Sequence, residues 1–355
     1  MTIPDRVVPA FGHVLAMSDE IGMFEHADHA TPRREHGYCT DDMARLLIVA
    51  VREPDPGQAI GRLGRNAFRF LKQSQNVTGK HRNRRSANGR WQDRAGVEDC
   101  WGRSVWAFGT AAARSSDTYM RASARSYFVH AVQQRSPHRR AMAFAALGAA
   151  EVASIDPRHF EARALLRSAI DTIGIPADDP VWPWPEPRLA YANAVLPDAL
   201  IAAGSVLGRD DVTKAGLTAL RWLLDREHVD GRLSPTPVDG AGPSDGPGRF
   251  DQQPIEVAAL ADACARALAV TGDNEWAHGV ELAVAWFAGG NDVGAEMWDL
   301  ATGGGYDGLT PSGPNLNQGA ESTLALIATL QHGPRPARNP LPRIPGPIWA
   351  TPGAR

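Results

Sequence analysis

RRAMAFAALGAAEVA, residues 139–153, decides how this chain folds. Ala143, Ala145, Ala146, Gly148, Ala149 and Ala150 make it almost uniformly small and apolar, as expected for a helix surrounded by protein. Five further stretches share that character, most of them approached through a polar or acidic cluster. They are GYCTDDMARLLIVA (37–50), EDCWGRSVWAFGTAA (98–112), YANAVLPDALIAAG (191–204), FDQQPIEVAALADACARAL (250–268) and NQGAESTLALIATL (317–330). Between them lie amphipathic helical stretches at Val8–Gly22, Gln58–Gln73, Thr118–Gln134, His159–Ile173, Asp211–Arg226 and Glu275–Ala288. In the second of these Ile60, Leu63, Ala67, Phe70 and Leu71 form one stripe, with Arg62, Arg65, Arg69 and Lys72 elsewhere.

Six buried and six half-exposed helices in strict alternation allow a closed ring or an open stack of helix pairs. A stack keeps a constant repeat length, whereas the buried segments here are unevenly spaced by long loops at Trp182–Leu189, Leu233–Phe250 and Asn291–Asn315. Loops of that length in a compact fold tend to carry function. The expectation is an all-α (α/α)6 toroid over residues 1–332, its inner helices lining a cleft. A Pro-rich tail at 333–355 follows that no helix can include.

The chain has 355 residues and a formal net charge of −3, which gives no electrostatic pull toward nucleic acid or an anionic membrane. The local basic run KHRNRRSANGR, Lys80–Arg90, reads as a solvated insertion. Cys39, Cys100 and Cys264 are too few and odd in number for a disulfide framework. No basic-then-apolar leader opens the sequence and no apolar run reaches the roughly 20 residues of a membrane span. A soluble, cytoplasmic protein is expected. Its apolar outer faces are compatible with a homo-oligomer.

The approaches to the buried helices carry the candidate chemistry. In HGYCTDD, one of Thr40, Asp41 and Asp42 should cap the helix. Capping does not account for two adjacent acids behind His36 and Tyr38. EDCWGR repeats the paired acid at Glu98 and Asp99, with Trp101 and Arg103 following. The WPWPEP loop brings Trp184 and Glu186, then Tyr191 and Asn193; it cannot be a regular core helix, so its aromatic faces are expected at the cleft, where sugar rings stack. FDQQPIE gathers Asp251, Gln252 and Gln253, with Asp251 the natural cap and Pro254 in the first turn. Glu256 then falls in an apolar run, where a carboxyl is costly unless used or paired, and where a raised pKa would suit a general acid. The last approach offers Tyr306, Asp307, Asn317, Gln318 and Glu321. No metal-ligand motif, phosphate loop or dinucleotide fingerprint is present, so no metal or organic cofactor is expected.

Taken together, HGYCTDD, EDCWGRSVWAFG, WPWPE with YANAVLPDAL, FDQQPIE and YDGLTPSGPNLNQGAEST resemble a group of bacterial (α/α)6 proteins associated with mannose-related glycosyltransferases and phosphorylases. The resemblance runs from about His36 to Leu330. Within the group the chain is most similar to the mycobacterial methylmannose polysaccharide hydrolases. That resemblance implies an endo-acting α-(1→4)-mannosidase acting on an oligo- or polysaccharide of the mannan type. Residue chemistry supplies the roles: Asp41 or Asp42 facing Glu256 as the two carboxyl groups, Glu256 the proton donor, and the other polar and aromatic residues holding sugar. Inversion is expected by analogy with the fold. The rival readings are a sugar 2-epimerase, which needs facing histidines, and a glycan-binding toroid, which needs no acids.

Overall fold

The computed structural model of the protein describes residues 9–177, 179–246 and 250–333. It contains α1 (Gly12–Ala16), α2 (Thr40–Arg52), α3 (Gln58–Ser74), α4 (Asp99–Arg114), α5 (Thr118–Ala131) and α6 (Arg139–Ile155). These are followed by α7 (Phe160–Ile173), α8 (Val195–Leu207), α9 (Asp210–Glu227), α10 (Pro254–Thr271), α11 (Glu275–Phe287) and α12 (Ala320–Leu330). Each even-numbered helix packs on the next, and α12 returns to α2, so six inner helices close a ring. The odd-numbered helices lie outside, α3 on α2 and so on round to α1 on α12. This is the (α/α)6 toroid. None of the described helices is long and apolar enough to cross a membrane.

The tightest seam is between α4 and α6. Gly102 and Gly109 are spaced seven apart on one stripe of α4, as are Ala141 and Gly148 on α6. A Cβ on Gly102 would lie 2.2 Å from the Ala141 carbonyl oxygen, one on Gly109 2.2 Å from that of Gly148, and one on Gly148 2.3 Å from that of Val105. The two backbones therefore touch directly, and the small residues of the 139–153 stretch are small for this reason.

Among the described residues four two-stranded antiparallel ribbons decorate the helices, at Ala27–Asp28 with Thr31–Pro32, Tyr38–Cys39 with Arg84–Arg85, His228–Val229 with Arg232–Leu233, and Gly308–Thr310 with Gly313–Asn315. The second ribbon folds the 80–90 segment onto the start of α2.

Several expectations need correction. The helix expected over Val8–Gly22 is reduced to the five residues of α1, because Asp19 accepts the N–H groups of Ile21 and Gly22 and turns the chain. Neither Thr40 nor the two aspartates cap α2: Cys39 holds the N-cap position and the acids lie within the first turn. Likewise Gln253, not Asp251, precedes α10, while Pro254 does occupy its first turn. Beyond Gly333 the Pro-rich tail lies outside the described residues.

Beneath the mouth, Ile48, Trp106, Phe144, Val195, Ile255 and Leu324 surround a small apolar hollow. Arg45 and Arg103 border it on the mouth side, and Arg52, from the last turn of α2, borders it below. There Arg52 donates to Asp262 at 2.8 Å, His332 bonds the same carboxylate at 2.5 Å, and Arg266 is paired with Asp198. These ion pairs floor the ring.

Candidate active site

The N-terminal ends of the inner helices converge on one mouth. First-turn acids stand at Asp41 and Asp42 of α2, Asp99 of α4, Glu256 of α10 and Glu321 of α12, while Asp198, in the first turn of α8, turns away from the mouth to Arg266 in the floor. A helix N-terminus favours negative charge, so a ring of six aligned helices can keep carboxylates close together. The exception is α6, whose first turn brings Arg139 and Arg140 instead.

Two polar chambers open at this mouth. Glu25, Asp41, Asp42, Asp99, Asp307 and Glu321 line the first, against Arg45, Arg84 and Arg103. The excess of acid over base suits neutral hydroxyls rather than an anionic guest. The second chamber carries Asp93, Arg94, Glu98, His138, Arg139, Arg140 and Glu186. Asp41, Asn83, Asp99 and Tyr191 belong to both chambers and mark their junction.

Asp41 Oδ1 is buried and accepts no hydrogen bond from the protein, with Arg103 Nε 3.5 Å away. Burial pushes its carboxyl above the ordinary range, against the pull of Arg103 and Arg45. Arg103 is itself buried, its guanidinium 3.8 Å from the Phe144 ring centroid. Asp99 accepts the Tyr191 hydroxyl at 2.7 Å. Burial, then the Asp99 charge, pushes that phenol up, so Tyr191 remains a donor. Asp42 is held by Arg45 at 2.6 Å, and the same guanidinium reaches Glu321, tying α2 to α12. Burial lifts Asp42 to about 7.

Of the expected sugar-binding residues, Asp99, Arg103, Tyr191, Gln253, Asp307 and Glu321 line the first chamber, and Glu186 the second. Others serve the framework. Tyr38 is buried and donates to Asp19 at 2.6 Å, and Trp101 is buried and donates to the Ala131 carbonyl at 3.1 Å. Trp184 is not at the cleft: it is buried against Trp222 of the outer helix α9. Gln252 accepts from Trp286 and donates to Asp292, and Gln318 bonds Asp299 and Thr302. Asn193 is buried against Glu256. His36 lies at the rim, its Nδ1 3.0 Å from that of His26, and Asn317 accepts the His29 N–H there. Asp251 and Tyr306 line neither chamber.

Glu256, expected as the proton donor, is only 5% exposed and lines neither chamber. It accepts the backbone N–H of Ala192 on one oxygen and that of Asn193 on the other, with Asn193 Nδ2 at 3.1 Å.

Glu25, His26, Asn83 and Arg84 are additional to the expected set. The run Lys80–Arg90 is thus a wall of the cleft rather than a solvated insertion: its Arg84 pairs with Glu25, and Asn83 bonds the Thr40 N–H. Arg45 could have been found from the TDDMAR spacing, since residues three apart on a helix meet. Glu25, Cys39 and Asp42 are close enough to share a cation. Their charges are already met by Arg84 and Arg45, and burial drives the Cys39 thiol well above its usual range, so the donor set suits arginine better than a metal.

Three buried carboxyls, Asp42, Glu227 and Glu256, are lifted to about 7, in each case chiefly by burial. Each contributes stability that is complete below its unfolded pKa, near 4, and lost as pH rises through 7. Thermal stability should therefore fall between pH 6 and 8. Glu227 is bonded by Thr236 and lines neither chamber, so its replacement leaves the mouth residues in place. Glu227→Gln should flatten the fall by about 1 kcal/mol in thermal unfolding at the two pH values. An unchanged slope would show that burial does not hold its proton.

No protein-family model matches the sequence, and no curated protein matches it. Solved structures do match in shape. A sugar epimerase from a ruminal bacterium superposes with a TM-score of 0.68 at 11% identity, over 91% of this chain and 94% of that one. The cellobiose 2-epimerase of Spirochaeta thermophila DSM 6192 gives 0.62 at 13%, over 90% and 92%. The cellulase Cel9M of C. cellulolyticum, in complex with cellobiose, gives 0.59 at 8%, over 88% and 86%. At these identities the likeness establishes the toroid and nothing finer.

Proposed function

We propose that the protein is a glycoside hydrolase that cuts internal α-(1→4)-mannosidic bonds of a mannose or methylmannose polysaccharide. The observation that carries this reading is the junction: Asp41 and Asp99 stand between two polar chambers, so a sugar chain can extend to both sides of the pair. Glycosidases need two carboxyl groups flanking the bond, one proton donor and one base or nucleophile. Asp41, with its carboxyl pushed up by burial, is the donor to the glycosidic oxygen. Asp99, oriented by the Tyr191 hydroxyl, is the base or nucleophile of the pair. Asn83, Gln253, Asp307 and Asn315 offer bonds to ring hydroxyls. The choice of mannose rests on the resemblance of the HGYCTDD, EDCWGRSVWAFG and FDQQPIE motifs to the methylmannose polysaccharide hydrolases. Asp42 and Glu256 leave the pair, the first being bound by Arg45 and the second by the Ala192–Asn193 backbone.

The epimerases among the structural neighbours favour a second reading, a sugar 2-epimerase. Against it, the histidines that line the chambers, His26 and His138, stand in different ones, and the histidine beside His26 is His36 at the rim. Incubation with α-(1→4)-linked mannan, plain and methylated, followed by mass analysis should yield shorter oligosaccharides. Unchanged length with the reducing-end mannose converted to its 2-epimer, read by NMR because epimers share one mass, would replace the hydrolase with the epimerase. Binding without any reaction would leave a glycan-binding toroid.

A further inference from the structure

The segment leading into α8 is gripped from two sides. Ala192 has φ of 44°, a left-handed conformation that an alanine seldom adopts. Successive N–H groups in such a turn form a cradle for an anion. At Ala192 and Asn193 the cradle holds the Glu256 carboxyl of α10, one oxygen on each N–H. On the other side stands Arg140 of α6. Its Nε donates to the Tyr191 carbonyl, its Nη1 to Glu186 at 2.7 Å and its Nη2 to Asn193 Oδ1 at 3.3 Å. The same guanidinium lies 4.7 Å from the centroid of the Tyr191 ring. Tyr191, so held, reaches across to Asp99 of α4.

We infer that Glu256 is a positioning residue: it holds the Ala192–Asn193 turn in its left-handed shape and thereby sets the Tyr191 hydroxyl on Asp99. The inference rests on the reading of Asp99 as one of the reacting pair. Glu256 touches no substrate in this arrangement; it acts through two peptide N–H groups and one tyrosine. Glutamine in its place has one acceptor oxygen instead of two, so one of the two peptide N–H groups loses its partner, Ala192 returns to a commoner conformation and Tyr191 is carried away from the Asp99 carboxylate. A displacement of about 1 Å at such a group can cost about 100-fold in rate.

The test separates positioning from proton donation. Glu256→Gln should lower kcat/KM about 100-fold on α-(1→4)-mannan. It should lower it equally on a mannobioside with a dinitrophenyl leaving group, which needs no proton. Adding Ala192→Gly, which removes the cost of the left-handed turn, should restore roughly tenfold. Tyr191→Phe, a variant that keeps every backbone contact, should reproduce the loss on both substrates. The arrangement also has a readout without sugar: trypsin should cut after the exposed Arg188 faster in Glu256→Gln than in wild type, while Tyr191→Phe keeps the wild-type rate. Retained activity of Glu256→Gln on the dinitrophenyl substrate alone would make Glu256 the acid and overturn the inference, as would an unchanged cutting rate. Inactivity of the wild type on every mannoside would sink the hydrolase reading instead, leaving the cutting rates to judge the grip of Glu256 on the Ala192–Asn193 turn.

Discussion

Asp41→Asn should lower turnover of α-(1→4)-mannan by about 10²–10⁴-fold, the range that proton transfer by a placed side chain contributes. The substitution is isosteric and Oδ1 of Asp41 accepts no hydrogen bond from the protein, so the framework contact at stake is the ion pair with Arg103, 3.5 Å away. The sign of the pH effect follows from the raised carboxyl. As a donor Asp41 must hold its proton, so activity should fall as pH rises through its folded pKa, and that limb should vanish in the variant. Product release measured by mass analysis across pH, with thermal unfolding alongside, reads both. Full activity in Asp41→Asn would remove Asp41 from the chemistry. A collapse of stability would move it to the framework, beside Arg103.

The second large effect concerns the ring itself. Gly148→Val should cost roughly 3–5 kcal/mol, because the new side chain meets the backbone of α4 at Val105 and Trp106 rather than movable side-chain atoms. Overpacking against a flexible neighbour is absorbed by a rotamer change, but two helix backbones in contact can only separate. Gly57→Ala is the control. That glycine precedes α3 in an ordinary conformation with nothing within 4 Å of an added Cβ, and its replacement should cost less than about 1 kcal/mol. Chemical denaturation midpoints compare the two. A Gly148→Val midpoint equal to wild type would mean that α4 and α6 are not pressed together at that point.

Much of the ring was legible before any coordinates. The inner helices are apolar on all sides because neighbours cover them on all sides, and the outer ones carry a single stripe because only one face is covered. The acids at the mouth were legible for a related reason, since inner helices in a ring all start at the same end. The seven-residue spacing shared by Gly102–Gly109 and Ala141–Gly148 was also present, though which glycines face which backbone is a matter of packing.

What could not be read is what depends on pairing across the chain. Asn83 and Arg84 enter the cleft because Arg84–Arg85 pair with Tyr38–Cys39, a ribbon with no local signature. Glu25 and His26 come from a segment where one asparagine-like turn at Asp19 shortens the expected helix. Trp184 misled for a different reason: a Pro-flanked tryptophan must leave a regular helix, but that says nothing of which face it then covers. It covers α9. With Glu256 the expectation that a buried carboxyl must be used or paired was sound, and the partner proved to be main chain.

The floor of ion pairs under the apolar hollow makes the toroid a bowl rather than a tube. Nothing can be threaded through it, so a long guest has to lie across the rim and depart by the side from which it arrived. For the proposed hydrolase a free chain end then has no privilege. The number of places to attack grows with polymer length, and a mixed population should lose its longest members first.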